Sequence, residues 1–315
     1  MRICLMVEGQ EGVTWDEWLA LARTCEESGL AGLFRSDHYS STVATSERGS
    51  LDAWATLAAL AARTERIRLG TMVSPVTFRH PAHLARTVVA VDHVSGGRVE
   101  LGMGAGWMEL EHVQNGFAFH DPAWRVSVLA EQIEIVVRQW TEEEFSFAGE
   151  HYRLEASRAL PKPVQRPHPP LIVGGGGKRG TVEPAVRWAD EYDTTFASPE
   201  DIRALRGKLD AASERAGRDR PLRLTLMTTT VIGDGEDELR ERTRSFFARV
   251  GRDADPDAWL AERRGKGLVG TVEEVLESLG RYREAGLDGA YLQHLDHGDL
   301  DLVRLIGAKI VPAFA

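Results

Sequence analysis

No stretch of the 315 residues approaches the ~20 consecutive apolar residues of a membrane-spanning helix. The opening run Met1–Val7 is short and is closed by Glu8, which is too little for a signal peptide. The expected location is therefore the cytoplasm. Cysteine is nearly missing: Cys4 and Cys25 are the only two, so no disulfide framework can form, and both read as small core residues of a reducing compartment. Positive charge is outweighed, with 38 basic against 48 acidic residues and a net charge of −10. The two signs are interleaved, which argues against a nucleic-acid or membrane-surface partner and leaves a small molecule as the expected one. Any anionic ligand would need a locally positive site. No serine sits in a nucleophile elbow. His80 with His83 and His294 with His297 have i,i+3 spacing, but no matching carboxylate set accompanies them, so no metal site is expected.

The chain instead offers alternation from end to end. Ile3–Val7, Gly32–Arg35, Ile67–Val73, Arg98–Gly102, Leu171–Val173, Tyr192–Thr195, Leu222–Ile232 and Ala290–Gln293 read as strands, each followed by a helical pattern. Thr14 with Glu17 and Thr271 with Glu274 form capping boxes. Pro81 opens a helix that Ser95-Gly96-Gly97 stops, and Ser198-Pro199 is an N-cap and first-turn pair. Residues 141–169 interrupt the rhythm with a hairpin near Glu144–Leu154 and a proline-rich stretch. Because the alternation resumes at once, this segment reads as an insertion after the fourth helix. Eight such units predict an α/β fold, a closed (β/α)8 barrel of the TIM type, with residues 1–315 forming one domain.

In such a barrel, ligands sit on the loops after the strands. After the second strand stand Asp37, able to accept from a ring N–H, and His38, able to move a proton near neutral pH. After the third come Thr71, Met72 and Val73, an apolar strand end that could press on a flat ring. After the fourth, Gly102, Gly104 and Gly106 alternate and let a ligand approach the backbone, while Trp107 adds a stacking surface. After the fifth, Gly174-Gly175-Gly176-Gly177-Lys178-Arg179 leads through Gly180 to Thr181 and a helix, which reads as an anion cradle. It matches the dinucleotide fingerprint by letter, but at the wrong strand and without the acidic residue that fold requires. At the end of the first strand, Glu8-Gly9-Gln10 replaces the closely spaced histidines of barrel hydrolases.

Taken in order, Ser36-Asp37-His38, Gly70–Pro75 with Arg79-His80-Pro81, Gly102–Trp107, Gly174–Thr181, Gly270-Thr271 and Tyr291–His294 resemble the luciferase-like monooxygenase superfamily. The likeness is to its F420-dependent oxidoreductase branch and covers essentially the whole chain. It implies that the deazaflavin F420 lies in the barrel mouth with Asp37 at its polar edge, behind it a cis peptide between Met72 and Val73, and its phosphate on Gly174–Gly177, Lys178 and Thr181, with Arg179 nearby. Hydride would pass between the deazaflavin C5 and a small substrate, with His38 as the proton-transfer residue. Trp107, Phe78, His112, Gln293 and His294 are the candidate substrate contacts. The family's sugar-phosphate dehydrogenases carry a glutamate donor where this chain has Trp107, which disfavours a sugar phosphate and suggests a flatter, more apolar substrate. Glu109 and Glu111, offset from that position, are expected to cap a helix or face solvent. An FMN-dependent monooxygenase, a non-catalytic cofactor-binding relative and a metal hydrolase are the alternatives, and a homodimer is expected because relatives commonly form one.

Overall fold

A computed structural model describes residues 1–42, 48–251 and 254–314. Eight parallel strands form a ring: β1 (Arg2–Val7), β2 (Gly32–Arg35), β3 (Arg68–Thr71), β4 (Val99–Gly104), β5 (Leu171–Gly174), β6 (Glu191–Thr195), β7 (Arg223–Gly233) and β8 (Gly289–His294). Pairing of β6 with β7 and of β8 with β1 closes it. This is the (β/α)8 barrel that the alternation predicts, with helices packed around it.

Side-chain alternation along the strands separates two apolar layers. Ile3, Leu5, Val7, Leu33, Leu69 and Leu101 belong to the main core shared with the helices. Cys4, Met6, Phe34, Met72, Met227 and Tyr291 fill the barrel interior. Phe34 fits there because its strand neighbours lack side chains: a Cβ on Gly70 would lie 2.5 Å from the Phe34 ring, and one on Gly32 2.6 Å from it. Both cysteines are buried and unpaired, and burial pushes the Cys4 thiol up to about 12. That leaves it unreactive near neutral pH.

Helix α1 (Trp15–Glu27) starts with the Thr14–Glu17 capping box, α2 spans Ala53–Ala61, and α3 (Pro81–Ser95) ends on Gly96 in the left-handed conformation. Three features depart from the sequence pattern. The third strand leaves its ladder after Thr71, and Ser74–Pro75 rejoins the sheet against β4. Two further helices, α4 (Glu109–Asn115) and Pro256–Arg263, were not legible, nor was the strand Leu268–Thr271, which pairs with the far end of β7. The closing helix is not continuous from Leu300 to Val311 but carries a π-turn over Ile306–Ile310. Between α5 (Pro122–Thr141) and β5, the strands Phe145–Ala148 and Arg153–Ser157 form an antiparallel hairpin that pairs with no barrel strand. Among the described residues no helix is long and apolar enough to cross a membrane.

Candidate active site

The loops at the C-terminal ends of the strands enclose a cavity of about 1540 Å³. Its apolar surface includes Met6, Met72, Val73 and Met227. The Met72–Val73 peptide is cis.

A polar belt crosses the floor. Glu8, buried at the end of β1, accepts from Gln293 Nε2 at 2.6 Å on one oxygen and from Gln10 Nε2 at 2.9 Å on the other. Gln293 Oε1 accepts from Thr229 at 2.9 Å. Ser36 donates to Gln10 and accepts from the Gly9 amide. These groups satisfy one another, so the belt is rigid before any ligand arrives.

His38 lines the cavity on the β2 side. Its Nδ1 lies 2.7 Å from Glu111 Oε1, and the second Glu111 oxygen accepts the Tyr39 amide at 3.0 Å. A carboxylate there requires Nδ1 to carry hydrogen, which leaves Nε2 as the nitrogen available to the cavity. Burial disfavours the charged imidazole, yet the hydrogen bond and charge of Glu111 outweigh it, with Glu8 and Asp37 adding, and His38 titrates above its ordinary value. The Trp107 ring meets His38 edge-on at 5.6 Å.

The structure thus corrects the expectation for Glu111, which is only 1% exposed. Glu109 is exposed in the first turn of α4. Glu111→Gln should lower the His38 midpoint, read by ring-nitrogen NMR. Protonation stabilises the fold below the unfolded histidine value of about 6.5 and ceases to do so as pH rises through the raised folded value. The variant's stability deficit should therefore be largest in acid. Glu111→Ala, which also strips the Tyr39 amide of its acceptor, should cost about 1–3 kcal/mol. A midpoint unchanged in both variants would remove Glu111 from this role.

Of the other expected contacts, Met72, Val73, Gly104, Gly106, Trp107, Gly174, Gly175, Gly176 and Gln293 line the same cavity as His38. The remainder do not. Asp37 is held by Arg79 and by Ser74 Oγ at 2.6 Å, so its carboxylate is engaged in the protein. Thr71 donates to Gly102 O at 3.0 Å. Of the expected anion cradle, Gly177, Lys178, Arg179 and Thr181 lie off the cavity lining. The Gly177 amide donates to Tyr192 Oη at 2.9 Å, Thr181 Oγ1 meets the same hydroxyl at 2.7 Å, Arg179 pairs with Glu183, and Lys178 is exposed outside the cavity. Phe78 and His112 belong to an aromatic cluster with Tyr39 and Phe117, where His112 is fixed by Thr77 Oγ1 at 2.6 Å and Met108 O at 2.7 Å. His294 follows Gln293 on the strand, so it faces away from the barrel interior and is buried. Burial holds it below its ordinary value. Among the described residues no three His, Cys, Asp or Glu side chains converge as a metal site.

A family model described as luciferase-like monooxygenase matches residues 2–289. The chain belongs to that family. Members of the luciferase-like family are oxidoreductases or monooxygenases. The F420-dependent glucose-6-phosphate dehydrogenase of Microbacterium testaceum (strain StLB037) is 28% identical over 94% of this chain and 93% of its own length. The FMNH2-dependent dimethylsulfone monooxygenase of Pseudomonas putida is 31% identical over 64% of this chain and 53% of its own. The crystal structure of the monooxygenase RslO1 from Streptomyces bottropensis superposes with a TM-score of 0.84, covering both chains fully at 25% identity. Sequence reasoning missed Glu8 as a lining residue of this cavity, although it ends β1 at the same barrel face that picked out His38 and Gly174.

Proposed function

We propose that residues 1–315 form one luciferase-like barrel domain acting as an F420-dependent oxidoreductase on a small, apolar organic molecule. The observation that carries this reading is a titratable imidazole, backed by a buried carboxylate, facing an apolar cavity whose far rim is a run of glycines. When bound, the deazaflavin would supply hydride transfer at C5.

The residues present fit such a group. The cavity is large enough for a flat ring, and Met72 and Val73 give it an apolar wall. Gly174, Gly175 and Gly176 expose backbone for an anionic tail, with nothing within 4 Å of a Cβ placed on Gly176. The belt of Glu8 and Gln293 orients polar edges, and His38 Nε2 accepts or returns the substrate proton. Trp107, 64% exposed at the rim, covers apolar substrate surface. A homodimer, with no nucleic-acid or membrane partner, completes the proposal.

FMN is the competing cofactor, as the Pseudomonas relative indicates. Alignment with the F420-dependent relative over nearly the full length of both chains favours the deazaflavin. Equilibrium titration should give micromolar or tighter binding of F420 and at least tenfold weaker binding of FMN, about 1.4 kcal/mol of preference. Tight FMN binding without affinity for F420 would overturn the choice. Protein charged with reduced F420 should be oxidised by a member of a nitro, enone and imine panel. Inertness to every compound would favour a binding protein.

A further inference from the structure

Across the barrel from His38, a second titratable group faces the cavity. His38 follows β2, and Asp193 lies on β6, four strands away around the ring of eight. Asp193 is 2% exposed and lines the cavity. Asp193 and Glu191 alternate with Tyr192, so both carboxyl groups point into the barrel interior.

Between them sits one hydroxyl. Thr225 Oγ1 is 3.0 Å from Glu191 Oε1 and 3.0 Å from Asp193 Oδ1. A hydroxyl has one hydrogen to give. If both carboxyl groups were ionised, one of these contacts would set two oxygen lone pairs against each other in a buried site. The arrangement closes only if one carboxyl group carries a proton and donates it to Thr225.

The surroundings decide which. Glu191 accepts from Tyr291 Oη on β8, and its other oxygen lies 3.2 Å from Arg223 Nε on β7 and 3.6 Å from the Arg2 guanidinium on β1. Glu100 on β4 is occupied with Arg2 and Arg68, and the Cys4 thiol on β1 is neutral. Among the described residues no cation pairs with Asp193.

We infer that Asp193 is the neutral partner of a one-proton pair with Glu191, bridged by Thr225, and that this cavity-lining carboxyl takes up a further proton through the bridge. The direction is supported by burial and the adjacent Glu191 charge, which push the Asp193 carboxyl well above its ordinary range despite the Thr225 hydrogen bond. Burial also raises Glu191, opposed chiefly by Arg2. Exchange balances internally: a proton arriving at Asp193 Oδ2 releases the one on Oδ1 to Thr225 Oγ1, whose own hydrogen passes to Glu191 Oε1. The reverse order returns it. A proton delivered at this wall is thus taken up while the pair passes from one negative charge to none. The inference concerns the resting protein and holds whichever cofactor the cavity takes.

Infrared difference spectra of the intact protein test it. Wild type at neutral pH should show the carbonyl stretch of a protonated carboxylic acid, shifted by deuterium oxide and lost on raising the pH. Asp193→Asn should abolish that band. Thr225→Val, which removes the bridge, should shift its frequency and titration. Carboxyl-carbon NMR of aspartate-labelled wild type reads the same proton without any substitution, which covers a variant that fails to fold. A neutral-pH spectrum with Asp193 ionised overturns the inference. So does a band that survives Asp193→Asn and disappears in Glu191→Gln.

Discussion

Alanine in place of His38 is expected to lower turnover by about 10²–10⁴-fold, the usual worth of a positioned proton-transfer group, while cofactor affinity changes little. The separation follows from the geometry. Glu8, Gln293, Val73 and Gly174–Gly176 line the cavity through contacts that do not pass through the imidazole. Glu111, relieved of its ring partner, still accepts the Tyr39 amide. His38→Asn sharpens the test, since its amide can still donate to Glu111 but cannot titrate. If proton transfer is the role, Asn should be as slow as Ala under single-turnover conditions. Recovery of the wild-type rate by Asn, or an equal fall in affinity and rate for Ala, would make His38 a structural residue.

The barrel was legible because its signals are redundant. Each strand–helix unit repeats the switch from strand to helix spacing, and capping boxes at Thr14 and Thr271 mark helix starts independently of hydrophobicity. Position along the barrel selects residues that line the cavity, as it does for His38, Gly104 and Gly174. Position alone does not show where a side chain has a partner inside the protein. Asp37 faces Arg79, and Thr181 faces Tyr192, and neither partner adjoins it in sequence.

Helix α4 shows a deeper reason for failure. Its apolar residues Leu110 and Val113 are 54% and 70% exposed, while Glu111 and His112 are buried. Hydrophobic patterning therefore points the helix the wrong way round. The inversion makes sense only once His38 and the Tyr39 amide are seen to need a carboxylate. A local rule broken in this way is the pattern expected where function overrules packing, as the proposed role of His38 requires.

Gly102→Ala is expected to cost about 1–3 kcal/mol, near the upper end of that range for an overpacked core site. A Cβ there would fall 2.2 Å from the Thr71 carbonyl oxygen and 2.9 Å from Val73 Cγ1. The first obstacle is backbone and cannot swing aside, so β4 must part from the Thr71–Val73 segment. Thr71 Oγ1 also bonds to both Gly102 O and Gly102 N, at 3.0 and 3.3 Å, and that exchange would be stretched. Because Met72 and Val73 form the cavity wall, the displacement should reach the ligand as well. A shift worth 1.4 kcal/mol weakens binding about tenfold. Gly207→Ala is the control, lying exposed within the helix Pro199–Arg215 with nothing within 4 Å of the added carbon. It should stabilise by roughly 0.5–1 kcal/mol through helix propensity. Denaturant melts with a cofactor titration compare the two directly. A Gly102→Ala protein as stable as Gly207→Ala, with unaltered affinity, would mean that the close approach of Thr71–Val73 to β4 does not shape the cavity.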